Sequence, residues 1–264
     1  MSDEEREVPA KDWNRRKFMA FGALGLFGAG VWGIRKWILD AGKVSGASAP
    51  LRTVLDFNER VNAAFRGDGA RVKEFPKEMA AAKMRVNGRY GVSGAMDATN
   101  WKLMVVCDNP RPGTVLAVTM DQLRALPKTE IVYDFKCIEG WSIVSHWGGV
   151  RFRDFAEHFG VGTKSGTAPS SEKPDDLHAY MSLRTPDSEY YVGINMPSAL
   201  HPQTILAYEM NGEPLPVDHG GPLRLIIPTK YGVKNLKRIG IMGFSEERPP
   251  DYWHERGYDY DCAL

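Results

Sequence analysis

Short runs of β-branched and aromatic residues, each closed by Gly, Pro, Asn or Asp, dominate this 264-residue chain and limit what it can fold into. They fall at Lys102 to Cys107, Val115 to Val118, Glu130 to Phe135, Tyr180 to Leu183, Thr204 to Met210, Leu223 to Ile227 and Leu236 to Phe244. Helical signals are fewer. Met120 to Leu126 follows Thr119 and Gln122 at capping-box spacing, and Phe152 to Phe159 reads as a second short helix. Leu51, Val54, Leu55, Asn58, Val61 and Phe65 repeat at helical spacing, which predicts an amphipathic helix over 51–65 leading into the domain and ending at Arg66-Gly67-Asp68-Gly69. The Ser-, Thr- and Gly-rich segment Gly162 to Lys173 reads as a mobile surface loop. The fold class expected is α+β with more strand than helix. An apolar content of 43% is enough for one substantial core, in a single large domain or two small ones.

The first fifty residues have a different character. Asn14-Arg15-Arg16-Lys17 precedes an uncharged stretch from Phe18 to Ile34, followed by Arg35-Lys36. Paired arginines ahead of a modest apolar segment read as a twin-arginine export signal, and the alternative is a short membrane anchor. Ala47-Ser48-Ala49 has the form of a cleavage site, although Pro50 would hinder cutting there. Residues 1–49 are therefore expected to be signal or anchor with linker, and residues 50–264 the folded domain.

A net charge of +1 gives no electrostatic case for a nucleic-acid partner, and the basic residues of Lys230 to Arg238 are a local exception needing their own explanation. Cys107, Cys137 and Cys262 form no C-x-x-C pair, and the six histidines no H-x-x-x-H or H-E-x-x-H pair. C-x-x-C-H, the haem attachment motif, is also missing from the sequence. His158 reads as part of an ordinary helix face, whereas His146 is a candidate for the substrate pocket. Cys137 ends the run Glu130 to Phe135 and is followed by the turn-like Glu139-Gly140-Trp141-Ser142. That setting predicts a presented thiol rather than a packed one, with Lys136 favouring the thiolate that binds metal.

Lys136-Cys137-Ile138-Glu139-Gly140-Trp141-Ser142 resembles the active-site stretch of the sulfite-oxidase-type molybdopterin enzymes. A second block runs from His201-Pro202 through Tyr208 to Pro216 and His219-Gly220-Gly221-Pro222-Leu223-Arg224 to Pro228 to Lys237, and is similar to the same family. The likeness spans about Asn87 to Trp253. It implies a β-rich mixed-sheet molybdopterin-binding fold with short helices, a molybdenum-molybdopterin cofactor, and Cys137 as the protein ligand to the metal. It also implies cofactor contacts at Asn87, Tyr90 and Gly91, at Thr185, at His219 with Arg224, and in the phosphate-binding turn Asn235, Leu236 and Lys237. Arg224, Lys234 and Lys237, with backbone N–H groups near Asn235 and Leu236, supply the donors a phosphate needs. Where relatives often carry asparagine this chain has His219, which is expected to alter charge near pH 6 to 7.

The function implied is oxygen-atom transfer by an exported, periplasmic molybdenum oxidoreductase, in the direction of sulfoxide or N-oxide reduction. The leader and Tyr231-Gly232-Val233-Lys234 are most similar to the periplasmic methionine-sulfoxide reductases, which implies a haem-containing membrane protein as electron donor and a small or protein-bound sulfoxide as substrate. A sulfite dehydrogenase is the alternative. It calls for arginines around the metal, for which Arg89, Arg151 and Arg153 are candidates, and usually for a C-terminal dimerisation domain, which does not follow the cofactor block in this sequence. From another class, a membrane-anchored binding module without catalysis would use Phe18 to Ile34 as its anchor.

Overall fold

The computed structural model describes residues 30–66, 70–92, 100–108, 111, 113–170 and 172–264. The arginine pair and most of the apolar leader lie outside the described residues, as does the Gly67 to Gly69 helix stop. Residues 30–40 are helical, and no described helix is long and apolar enough to cross a membrane. A small hairpin of β1 (Lys43–Val44) and β2 (Ala47–Ser48) leads into α1 (Ala49–Arg66).

Two five-stranded sheets form the body. One contains β3 (Lys102–Cys107), β4 (Thr114–Thr119), β7 (Tyr180–Arg184), β8 (Tyr191–Asn195) and β12 (Ile241–Ser245), in the order β4-β3-β12-β7-β8. Only β3 and β12 run parallel, which makes this sheet mixed. The other contains β5 (Lys128–Lys136), β6 (Ser142–Arg151), β9 (Ile205–Met210) and β10 (Glu213–Pro214), with β11 (Arg224–Ile226) also pairing with β9. Short helices α2 (Met120–Arg124), α3 (Phe152–Phe159) and α4 (Met196–Ala199) link strands. Thr119 and Gln122 form the expected capping box, and α3 has the expected bounds.

The main core contains Leu103, Val105, Phe152, Phe155, Met181, Leu183, Leu206 and Leu225. A second cluster of Ile131, Tyr133, Phe135, Trp147, Ile205 and Ile226 lies against β5, β6 and β9. The alternation of β5 places Ile131, Tyr133 and Phe135 on one face, and the next residue of that face is Cys137.

Two expectations are corrected. The run Leu236 to Phe244 is strand only from Ile241, and β6, which carries the sheet between β5 and β9, was not expected at all. Gly148 and Gly149 sit at a bulge in β6; a Cβ on Gly149 would lie 2.1 Å from the Leu206 carbonyl, so only glycine fits that approach. Helix α1 is also rotated from its pattern, with Leu55 and Val61 only half-buried. Arg52 is buried and donates to the carbonyls of Val44, Ser45, His254 and Tyr258, while Leu51, Val54 and Phe57 face outward.

Candidate active site

Cys137 closes β5 at the mouth of a hairpin. Its N–H donates to the Trp141 carbonyl at 2.9 Å, the Gly140 N–H returns to its own carbonyl at 3.0 Å, and Gly140 has the positive φ (88°) that such a turn requires. The residue is 8% exposed, so the thiol is buried by surface, contrary to the presented thiol expected; yet it lines a cavity of about 320 Å³. Lys136 does not share that cavity. Successive strand residues alternate, and Lys136 lines a separate groove with Asp134, so it does not act on the sulfur as expected.

Cations line one part of an otherwise largely apolar cavity. Arg224, 3% exposed, donates through Nη1 to the His219 carbonyl at 2.8 Å and through Nη2 to the Asn235 carbonyl at 3.1 Å, while its Nε has no partner. The guanidinium lies 4.6 Å from the centroid of Trp147 and 6.0 Å from that of Phe135. Burial lowers its pKa to about 10. Lys237 reaches in with Nζ bonded to the carbonyls of Asn87 (2.7 Å) and Asp218 (2.8 Å), and burial followed by Arg224 lowers its pKa to about 8. His219, on a short 3₁₀ turn, is pushed down to about 4 by burial, then by Arg224 and Lys237. It is neutral at pH 6 to 7, which corrects the expected charge change in that range.

The early loop meets this wall. Asn87 Nδ2 lies 3.7 Å from Cys137 Sγ and 3.1 Å from Glu139 Oε2. Glu139 also accepts from Trp141 Nε1, and these two donors, Trp141 first, hold its carboxyl below the usual carboxylate range. Tyr90 lines the cavity and stacks near Tyr252 and Tyr190. Gly91 is behind the wall: with φ at 69°, a Cβ there would meet the Thr185 side chain at 2.1 Å. Thr185 itself is buried, its hydroxyl bonded to Asp187 and to the Tyr190 N–H, and it does not line the cavity. Both residues therefore shape the loop that carries Asn87 and Tyr90.

The proposed phosphate turn is only partly in place. Asn235 lines the cavity, but its amide side chain holds the loop, accepting from the Ile227 N–H and donating to the Tyr231 carbonyl. The N–H groups of Asn235 and Leu236 are used by the carbonyls of Gly232 and Lys234, and the Leu236 side chain belongs to the main core. Lys234 is fully buried and paired with Asp251, and Lys230 pairs with Asp261. These two lysines of the basic stretch neutralise the acidic C-terminal tail rather than a ligand, whereas Lys237 of the same stretch lines the cavity. His146 is also away from the cavity, 3.5 Å from Glu130 on β5. None of Arg89, Arg151 and Arg153 lines it.

Trp253 and Tyr258, from the aromatic C-terminal tail, complete the wall. The concentration of aromatic residues in that tail was the available signal.

A buried guanidinium without an acid beside it, a lysine whose bonds shown are to carbonyls, and a thiol on one wall make a site for an anionic, metal-bearing group. The family described as oxidoreductase molybdopterin binding domain has a model that matches residues 90–253, well over half of the chain. The chain belongs to this family. Membership names the cofactor, molybdenum-molybdopterin, and the site suits it: Cys137 for the metal, Arg224 and Lys237 for the anionic portion, Asn87 and His219 for polar contacts.

Similar proteins fall in the same group. A putative protein-methionine-sulfoxide reductase subunit YedZ1 from Azospira oryzae is 34% identical over 70% of this chain and 65% of its own length. The protein-methionine-sulfoxide reductase catalytic subunit MsrP of Xanthomonas axonopodis is 32% identical over 59% of this chain and 48% of its own, and that of Campylobacter jejuni 31% over 58% and 52%. The chain thus spans from about half to just under two thirds of the length of these relatives.

Proposed function

We propose that this protein is an exported molybdenum oxidoreductase that reduces a sulfoxide, taking electrons from a haem-containing membrane partner. The observation that carries the reading is that Cys137 lines the same cavity as the buried cation Arg224. The balance is sulfoxide plus two electrons and two protons giving sulfide and water. When bound, the molybdenum cofactor supplies this two-electron oxygen-atom transfer.

The protein's own residues bind and orient. The Cys137 thiolate is the soft ligand, and the Asn87 N–H directed at it lowers electron density on sulfur. Arg224 and Lys237 attract the anionic part of the cofactor, which in turn relieves the cost of burying both cations. Neutral His219 contributes a hydrogen bond without a charge. Glu139 stays ionised and fixes Asn87 and Trp141, so it is a positioning group at neutral pH.

The cavity lining favours a neutral substrate. Ile138, Trp141, Trp253 and Tyr258 give it an apolar and aromatic side, where Arg85 lies over the Trp141 ring at 5.1 Å, and the three arginines considered for sulfite are elsewhere. The names of the relatives point in the same direction. For export, Arg15 and Arg16 ahead of Phe18 to Ile34 are the motif, within residues 1–49, and residues 50–264 form the catalytic domain. A dye-coupled assay tests the chemistry: reduced viologen is oxidised when a sulfoxide is added. Sulfite-dependent dye reduction without sulfoxide turnover would overturn the reading. Fractionation of an Arg15→Lys, Arg16→Lys variant tests export, with precursor retained in the cytoplasm as the expected result.

A further inference from the structure

Helix α1 is rotated with respect to its own pattern, with Leu55 and Val61 half-buried at the edge of its packed face. The face that packs on the domain carries Arg52, whose guanidinium is fixed by four carbonyls, and Glu59, which pairs with Arg248 at 2.7 Å. The face turned to solvent carries Leu51, Val54 and Phe57, which are 46%, 53% and 62% exposed. Further rotation of the helix would bring Leu51, Val54 and Phe57 inward only by breaking the Arg52 bonds, so this orientation is built into the fold. An apolar helix face held outward needs a cover.

Four observations point to lipid as that cover. The helix over 30–40, just upstream, exposes Val31, Trp32, Ile34, Trp37 and Leu39, and tryptophan favours the membrane–water interface. The Ala49 N–H bonds to the Gly42 carbonyl at 2.9 Å, so the β1–β2 hairpin keeps the end of that helix next to the start of α1. The chain beyond the described residues arrives at residue 30, and its last twelve residues, Phe18 to Ala29, are uncharged. Arg35, Lys36 and Lys43 flank these apolar residues with positive charge.

We propose that Leu51, Val54 and Phe57 of α1, together with the exposed residues of the 30–40 helix, seat the folded domain on an anionic lipid surface. The catalytic domain then meets the bilayer through its own face, in addition to any leader. Arg52, on the inner face of α1, donates to the carbonyl of Tyr258, a residue that also lines the cavity. The proposal does not rest on the redox reading, because its test needs no turnover.

The test uses the full-length holoenzyme carrying Val54→Cys, labelled with an environment-sensitive fluorophore; the native thiols Cys107, Cys137 and Cys262 are buried. A protein labelled at Asp121→Cys, on α2, is the control. On vesicles of phosphatidylethanolamine and phosphatidylglycerol, the label at position 54 should shift to the blue and brighten several-fold, and the label at position 121 should not. Emission at 54 that stays aqueous while the protein floats with vesicles would show that the leader alone binds, and would overturn the proposal. A shift that appears without vesicles as protein concentration rises would assign the face to a second copy, and would also overturn it.

Discussion

The side-chain amide of Asn87 lies 3.7 Å from the sulfur of Cys137, although fifty residues separate them in sequence. Lys237 donates to the Asn87 carbonyl and Glu139 accepts from its amide, so both ends of this residue are fixed before any ligand arrives. The amide is therefore preorganised to donate to the thiolate. Replacement of Asn87 by Ala removes that donor while leaving the backbone contact to Lys237. The expected outcome is retained molybdenum with a lowered reduction potential, read by electrochemical titration of the bound metal, because a sulfur relieved of its hydrogen bond gives more charge to the metal.

Arg224 joins charge to fork geometry: Nη1 and Nη2 each satisfy a different carbonyl. Lysine keeps the charge and loses the fork. Arg224→Lys should lower cofactor affinity by about ten- to hundredfold, in line with the ~1.5–3 kcal/mol of a charged hydrogen bond. The ratio of molybdenum to protein after purification checks this.

Neutral His219 has a consequence for acid stability. Its folded-state value of about 4 lies below the ordinary 6.5, so the unfolded chain binds more protons between these values. This group's contribution to stability is full above about pH 6.5 and is lost as pH falls toward 4. His219→Asn should flatten this part of the stability curve of the cofactor-free protein, as measured by urea unfolding at a series of pH values.

Lys234 and Asp251 form a buried pair that ties the C-terminal tail to the cofactor-side loop, and Asp251 also accepts from the Gly193 N–H. Removal of one partner strands the other. Asp251→Ala should destabilise the protein by about 3–5 kcal/mol, and the double variant Lys234→Met, Asp251→Ala should recover part of that loss, again in urea unfolding.

Local signals in the sequence carried further than long-range ones. The period-two alternation through Ile131, Tyr133 and Phe135 was legible, as were the Thr119–Gln122 cap and the turn after Cys137, because each is decided within a few residues. Strand β6 was not, since its Gly148-Gly149 pair answers a close approach by Leu206, some sixty residues away. Gly193 in β8 is similar: the hydroxyl of Tyr260 occupies the space a Cβ would need. For α1 the apolar spacing gave the helix correctly and its orientation wrongly, because the orientation is set by Arg52 binding carbonyls of the tail. At the site, resemblance pointed to Cys137, Asn87, Arg224 and Lys237, which the fold brings to one cavity. Lys234 was expected beside them, and only the tail's carboxylates explain why it turns away.

The central claim is that Cys137 ligates the metal. Molybdenum K-edge X-ray absorption of the unmodified protein and of Cys137→Ala, both made in a host that synthesises molybdopterin, tests it most directly. The account predicts that the variant loses one sulfur from the molybdenum coordination shell. Identical sulfur coordination in the two proteins, or no molybdenum in the unmodified one, would contradict it.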